Sequence, residues 1–327
     1  MKKLILFLLL VFLTTIFLMP SHAAIKKLAQ TGLQFLEIDV STRAAAMGGA
    51  FMMVGNDADA MFYNPAGIAE MQSNMDFVAC RTQWIADISY NSGGIVKNFG
   101  NVGNFGLSFI TSDYGDIIGT RVASTEKGFE ETGNLDVGAY AVGLTYARSL
   151  TNKFTVGGQI KYVGQQLGEN LFPDGSTVEN KVSGVAFDFG TMFYPGVKSF
   201  RFGMSIRNFS PQLKYQQTSF QLPLTFTIGV AMDVLDLLGE HNNSLLVAID
   251  AVHPRDYTER MHIGAEYTIL NMIALRAGYK FNYDEEGITA GVGLNTDLSG
   301  LKLKIGYAYS DFGVFDNVSR ISFGLAF

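Results

Sequence analysis

The sequence predicts an all-β fold, a transmembrane antiparallel β-barrel of about fourteen strands that follows a helical or irregular N-terminal segment. Apolar residues alternate with small, polar or charged residues down most of the chain, as in residues 301–309, and the pattern ends at a C-terminal phenylalanine, Phe327. Side chains alternate between the two faces of a strand. A chain that repeats this pattern many times behind a secretory signal is typical of a bacterial outer-membrane barrel.

The first 23 residues have the features of a signal peptide. Lys2 and Lys3 form a positive start, residues 4–19 are mostly apolar, and Ser21-His22-Ala23 is a small-x-small cleavage site. A membrane anchor is the alternative, and it is disfavoured because the apolar run is short and no comparable run follows it. We therefore expect a mature chain that begins at residue 24.

The composition agrees with a membrane barrel. Of the 327 residues, 48% are hydrophobic and only 17% are charged, against about 25% charged in soluble proteins. The formal net charge of −6 without basic clusters argues against nucleic acid as a partner. Cys80 is the only cysteine, so no intramolecular disulfide and no cysteine-based metal site can form.

The alternating pattern defines two regions in the mature chain. Residues 24–73 do not alternate, although residues 28–38 have helical spacing, whereas residues 74–327 carry the strand code. We predict fourteen strands at 74–84, 86–97, 103–112, 133–149, 153–167, 181–195, 199–209, 222–233, 243–253, 258–269, 272–282, 287–296, 300–311 and 318–327. With an even number of strands, the first strand begins and the last strand ends on the periplasmic side.

The lengths of the predicted connections give a second test. The short connections fall on the predicted periplasmic side, at 151–152, 195–198, 270–271 and 297–299, with 234–242 as a longer exception. The long connections fall on the outer side, at 113–132, 168–180 and 210–221. Short periplasmic turns and longer outer loops are usual in such barrels. Residues 117–124 are a candidate arm of an extra hairpin in an outer loop.

The polar face of the predicted strands should line the lumen, because Arg or Lys facing lipid costs about 2–4 kcal/mol at the membrane midplane. The charged residues expected to face the lumen are Asp250, Arg260, His262, Glu266, Arg276, Lys280, Lys302, Lys304 and Arg320. One interpretation is an ion-paired lining that holds an N-terminal plug. The other is a path for a ligand.

The N-terminal region carries a recognisable signature. An F-L-x-I block at 35–38 is followed by an R-A-x-x-M-G-G-A-F block within 41–51 and by an N-P-A-G block within 56–69. This order and spacing resembles the PorV/PorQ family, a branch of the FadL-like outer-membrane barrels. The chain departs from the family pattern at Asn56-Asp57, where two aspartates are common, and its modest length implies that the long outer loops of some members are reduced here.

The resemblance implies a fourteen-stranded barrel closed by a plug formed by residues 24–73. The signature positions that it assigns to the plug are Arg43, Met47, Gly48, Gly49, Asp57, Asn64, Pro65, Ala66 and Gly67. Pro65 fixes its φ angle and Gly67 permits unusual dihedral angles, so this stretch favours a rigid turn. The guanidinium of Arg43 is suited to bonding several carbonyl groups. Plug structure is the first role expected, and gating of a ligand route is the alternative.

The resemblance also implies a function. We expect a component of protein secretion or surface assembly, a type IX-like cargo shuttle that contacts outer-membrane lipid and secreted cargo or secretion-system proteins. The alternative is FadL-like uptake of long-chain fatty acids or other hydrophobic small molecules. A side opening near the glycines of residues 103–109 would suit uptake. An apolar pocket would suit it too, and the residues available for one are Met47, Phe51, Met52, Met53, Met61 and Phe62, unless they pack the plug.

Catalysis is not expected. The chain has no Gly-x-Ser-x-Gly elbow, and after processing only His241, His253 and His262 remain as histidines. We interpret His262 and Glu266, which share one strand face, as a lumen ion pair rather than as a catalytic base. Asp284-Glu285-Glu286 is more typical of a solvated loop than of a cation site. We expect no cofactor and no metal, and the plug argues against an open porin.

Overall fold

The computed structural model describes residues 31–327 except Pro173, Glu240 and His241. The expected signal peptide, the first part of the helical pattern and His241 lie outside the described residues. Fourteen of the strands form one closed antiparallel barrel, in which the last strand pairs with the first through Asp76 and Ala326. This confirms the predicted fold class.

The strands follow the alternating pattern closely. In chain order they are β1 (Met75–Gln83), β2 (Ser89–Asn98), β3 (Asn104–Asp113), β4 (Ile117–Val122), β5 (Phe129–Leu135), β6 (Val137–Thr151), β7 (Phe154–Leu171), β8 (Thr177–Phe193), β9 (Arg201–Phe209), β10 (Leu213–Tyr215), β11 (Thr218–Phe220), β12 (Thr225–Asp233), β13 (Ser244–Pro254), β14 (Arg260–Ile269), β15 (Ile273–Phe281), β16 (Ile288–Leu298), β17 (Leu301–Ser310) and β18 (Val318–Ala326). The barrel excludes the hairpins β4–β5 and β10–β11.

The outer face of the barrel is apolar. Every second side chain of a strand points away from the lumen, and these positions carry apolar residues. On β3, exposed Leu107 and Phe109 alternate with buried Ser108 and Ile110. The exposed apolar residues match a lipid-facing surface, and closure of the sheet pairs the backbone groups that lipid cannot satisfy. The protein is therefore an outer-membrane barrel.

Two ends of the barrel can be distinguished. β1 begins and β18 ends at one rim, which is the periplasmic rim in barrels of this type. At the other rim, the connection from β3 to β6 contains the hairpin β4–β5, at the place where a hairpin arm was expected. The expected outer loop at 210–221 also contains a hairpin, β10–β11, which the sequence analysis missed because its strands have only 3 residues each.

The structure corrects two further expectations about the wall. Much of the predicted loop 168–180 is strand, because β7 continues to Leu171 and β8 starts at Thr177. The proposed side opening at 103–109 is absent from this part of the described chain, since β3 pairs with β2 and with β6 along Asn104–Asp113 in an unbroken register. The pairing of β8 with β9 is irregular instead, with a bulge between Phe187 and Phe189.

Residues 31–74 fold inside the barrel. They contain one short helix, α1 (Thr42–Ala46), and 3₁₀ turns at Gln34–Glu37, Ala58–Phe62 and Pro65–Glu70, so the helical spacing of 28–38 corresponds to only one such turn in its described part. Phe51, Met53 and Met61 are fully buried within this segment. Among the described residues, no helix is long and apolar enough to cross a membrane. We refer to residues 31–74 as the plug.

Candidate functional site

The first part of the plug lies directly against bare strand backbone. Ser41 caps α1 by accepting a hydrogen bond from the backbone N–H of Ala44. After the helix, Gly48 and Gly49 have φ angles of +65° and +77°, in the left-handed region that favours glycine. A Cβ atom at Gly278 of β15 would lie 2.2 Å from the backbone N of Gly48. The Met-Gly-Gly signature therefore meets a glycine in the wall, and neither side has room for a side chain.

The Asn-Pro-Ala-Gly turn is a second anchor of the plug. The Asn64 side chain accepts a hydrogen bond from Ala66 N at 3.1 Å and donates to the carbonyl of Thr191 in β8 at 3.2 Å. Pro65 starts a 3₁₀ turn, as its fixed φ favours. Gly67 is needed for close approach, because a Cβ there would lie 2.3 Å from the carbonyl O of Gly55. The expectation that Gly67 supplies an unusual dihedral angle was wrong, since its φ is not positive.

Glu266 joins the plug to β14 and β15 through two arginines. The guanidinium of Arg43 contacts both carboxylate oxygens of Glu266, at 2.8 Å and 2.6 Å, and Arg276 Nε donates to the same carboxylate at 2.6 Å. The expectation that Arg43 bonds carbonyls was therefore wrong, since its fork fits a carboxylate. The expected pairing of His262 with Glu266 was also wrong, because His262 Nε2 hydrogen-bonds the Tyr283 hydroxyl at 2.8 Å.

Lys304 holds a second part of the plug near the periplasmic rim. Its ammonium group lies 3.1 Å from Asp57 Oδ2 and 2.7 Å from Asp76 Oδ2, while Asp76 Oδ1 accepts the backbone N–H of Ala58 at 3.0 Å. Asp59 lies buried beside this group. Its burial and the neighbouring Asp57 carboxylate raise the pKa of Asp59 from 3.8 to about 7.

Three more lumen residues hold the upper part of the plug. Lys280 lies 2.8 Å from Asp39 and also pairs with Glu286. Arg320, which is 2% exposed, donates to the carbonyl of Asp39 at 2.7 Å. Asp250 Oδ2 accepts backbone N–H groups from Phe51 and Met52, each at 2.9 Å.

Two further residues that hold the plug were not predicted from the sequence. Arg201 and Arg207 of β9 donate to the plug carbonyls of Met53 and Phe62, at 2.5 Å and 2.8 Å. Both arginines lie on the polar face of β9, so the alternation rule applied to that strand would have found them. The same rule applied to β1 would have found Asp76, which lies on its buried face, whereas Asp39 carries no comparable signal because it lies in the plug.

The remaining predicted positions do not anchor the plug in the same way. Lys302 lies exposed near the periplasmic rim, and Arg260 stacks on two tyrosines at the outer rim. The methionine and phenylalanine set is mostly packed rather than open: Met47, Phe51, Met53 and Met61 are fully buried, and only Met52 reaches a large cavity. No group of three or more His, Cys, Asp or Glu side chains suited to a metal ion occurs in the described part of the chain.

The plug separates two cavities. The outer cavity has a volume of about 430 Å³ and lies between the plug residues Glu37 and Tyr63 and the wall residues Arg207 and Arg260. The periplasmic cavity has a volume of about 620 Å³ and includes Arg43, Asp57, Asp76, Lys302 and Lys304. Charged residues of the wall and of the plug therefore line both cavities.

Comparison with known proteins identifies the family. A family described as the type IX secretion system membrane protein PorP/SprF matches residues 60–317, which is most of the chain. The chain belongs to the PorP/SprF family. Membership agrees with the expected link to type IX secretion, although the matching family is PorP/SprF and not PorV/PorQ. No curated protein matches this PorP/SprF member.

Solved structures share the barrel architecture. The Pseudomonas putida toluene transporter TodX is similar with a TM-score of 0.56 and 13% identity over 87% of this chain and 96% of that one. The CymD monoaromatic hydrocarbon channel has a TM-score of 0.55 and 13% identity over 88% and 97%. A Pseudomonas aeruginosa FadL homologue has a TM-score of 0.51 and 11% identity over 88% and 97%. At these identities the likeness is one of fold.

Proposed function

We propose that this PorP/SprF protein is a non-catalytic component of type IX protein secretion or surface assembly that handles cargo at the outer membrane, in the manner of PorV/PorQ proteins. The family match over residues 60–317 carries the proposal. The plug supports the proposal, because it fills the lumen and is held there by hydrogen bonds and ion pairs. A filled lumen suits a barrel that presents surfaces to other proteins better than it suits a channel for solutes.

The proposal is tested by affinity purification of the tagged protein from outer membranes solubilised in detergent, followed by mass spectrometry of proteins and lipids. We expect secreted proteins that share a C-terminal domain, together with other secretion components. A tagged unrelated barrel from the same membranes is the control. Recovery of apolar small molecules in the barrel without protein partners would contradict the proposal.

Uptake of long-chain fatty acids or other hydrophobic compounds is the second candidate. It is favoured by the barrel shape shared with TodX and CymD, which are a toluene transporter and a monoaromatic hydrocarbon channel. The lining of the outer cavity argues against it. The side chains there that are wholly apolar are Phe35, Ile38, Met52, Val252 and Pro254, and charged or hydroxyl-bearing residues form much of the rest.

A further inference from the structure

The outer cavity has the size of a small-molecule site. Its volume of about 430 Å³ falls within the range of about 300–1,000 Å³ that is usual for ligand pockets. The plug forms its floor and the upper parts of the barrel strands form its walls. The hydrogen bonds and ion pairs that hold the plug do not require a cavity of this size. They therefore do not explain it.

Side chains that donate and side chains that accept hydrogen bonds both line this cavity. Arg260 is stacked between Tyr257 and Tyr283, with its guanidinium carbon 4.4 Å and 4.1 Å from the ring centroids. Its Nε has no hydrogen-bond partner among the described residues. Asp250, which is 1% exposed, borders the cavity with a carboxyl group that already accepts the N–H groups of Phe51 and Met52.

Charges of both signs that are not committed to each other reach the cavity. Lys280 is already paired with two carboxylates, Asp39 and Glu286. Glu37 on the plug accepts only the Thr225 hydroxyl, at 3.2 Å, among its described hydrogen bonds, and Arg207 faces it from β9. A lone anion would meet Glu37 and Asp250, and a lone cation would meet Arg207 and Arg260. The cavity therefore suits a ligand without net charge.

Aromatic side chains complete the lining. Trp84, Tyr90 and Tyr114 border the cavity, and Trp84 packs edge-on against Tyr90 with centroids 6.0 Å apart. Flat rings beside polar groups suit a ligand that has both apolar faces and many polar edges. An acyl chain or a hydrocarbon would offer no hydrogen bonds to Glu37 and Arg260, which is costly where it displaces water from them.

We propose that the outer cavity binds a neutral saccharide, either a free sugar or the terminal unit of a surface glycan. A sugar hydroxyl both donates and accepts, so one kind of group can serve the carboxylate of Glu37 and the guanidinium of Arg260. The C–H faces of the sugar ring pack on the aromatic side chains. This inference goes beyond cargo handling and does not depend on it.

Trp84 provides a direct assay, because it is the single tryptophan of the chain and lines the cavity. The purified protein, in an amine-oxide detergent that lacks a sugar headgroup, is titrated with glucose, mannose, fucose, N-acetylglucosamine and maltose. We expect a saturable change in Trp84 emission with at least one of them. Competition by outer-membrane polysaccharide, compared with free sugar alone, distinguishes a glycan end from a free sugar.

Two variants test the residues. Arg260→Met keeps a stem that packs between the tyrosines but removes the donors, and Glu37→Leu removes an acceptor from the plug side. Each should weaken binding by about tenfold or more, as expected for the loss of a hydrogen bond to a charged group. Lys302→Met, which removes a cation from the periplasmic cavity, is the matched control and should bind as the wild type does.

Heat-modifiable migration on gels shows which variants form the barrel. The proposal is overturned if folded wild-type protein gives no saturable change with any of these sugars. It is also overturned if palmitate or inorganic phosphate saturates the signal instead, or if both folded cavity variants bind sugar as tightly as the wild type.

Discussion

At the scale of single residues, the chemistry of the lumen is dominated by buried charges that are shared between the wall and the plug. Glu266 is the clearest case, because one carboxylate serves Arg43 of the plug and Arg276 of β15. Such buried ion pairs add little net stability to the fold, since removing the charges from water is costly. Removing one partner is strongly destabilising, because the other charges then remain buried and uncompensated.

Glu266→Gln should loosen the plug. The substitution leaves two arginines facing each other without a carboxylate, a change that typically costs about 3–5 kcal/mol in a buried network. We expect faster backbone hydrogen exchange and earlier proteolysis within residues 41–53 while the barrel remains folded. Glu179→Gln, in an exposed pair with Lys181, is the control and should change neither. Unaltered exchange in the Glu266→Gln plug would show that this latch does not hold it.

Asp59 should make plug stability depend on pH. Its pKa is about 7 in the folded protein against an ordinary 3.8, because of burial first and of Asp57 second. The folded state therefore binds the proton more tightly than the unfolded state, so plug stability falls as pH rises from about 4 to about 7. Asp57, Asp76, Lys304 and the Ser41 hydroxyl are the groups that face it.

The corresponding variant is Asp59→Asn. It should remove most of this pH dependence, so that plug hydrogen exchange at pH 8 is slower than in the wild type, whereas the two proteins differ little at pH 4. Glu259→Gln, an exposed carboxyl at the outer rim, serves as the comparison. Identical pH profiles for wild type and Asp59→Asn would contradict the assignment.

At the scale of elements, the barrel strands could be predicted from alternation, whereas the plug was expected only from the resemblance of its sequence to a known signature. Alternation is a local signal, so each strand of the wall could be located from its own residues alone, as residues 301–309 show for β17. The ion pair between Glu266 and Arg276 depends on the register of β14 against β15, because a shift of one residue would turn the side chains of the shifted strand to the other face and separate the pair. The plug has no periodicity, which is why the role of Asp39 was missed.

The contact between α1 and the wall offers a test at this scale. Gly278→Ala places a Cβ 2.2 Å from Gly48 N, against backbone that cannot move aside like a flexible side chain. We expect the plug to withdraw from β15 and the outer membrane of cells carrying this variant to take up small dyes. Gly287→Ala is the matched control, because its Cβ would lie 3.6 Å from Tyr279. Equal dye uptake in the two variants would contradict this docking.

At the scale of the whole molecule, the plug runs through the barrel from one side of the membrane to the other. Thr31 bridges to Gln221 in an outer connection, and Gln34 donates to Asp256 at 2.8 Å, also at the outer rim. Gln72, near the start of β1, borders the periplasmic cavity. The plug is therefore tied to both ends of the barrel, with a cavity on each side.

Cysteine labelling should reveal this orientation. In a Cys80→Ser background, Gln34→Cys should react with a membrane-impermeant maleimide on intact cells, whereas Gln72→Cys should react only after the outer membrane is opened. The native Cys80, which is 6% exposed, provides a poorly reactive reference. Labelling of Gln72→Cys but not of Gln34→Cys on intact cells would reverse the orientation.

Conductance in planar lipid bilayers tests the central claim, a barrel closed by a latched plug, most directly. The wild-type protein should insert without a stable open channel. Asn64→Ala combined with Pro65→Ala, which removes the hydrogen bonds of the second anchor to Ala66 and Thr191, should open transiently or permanently while the barrel stays heat-modifiable. Steady conductance through wild-type protein, equal to that of the double variant, would contradict the account.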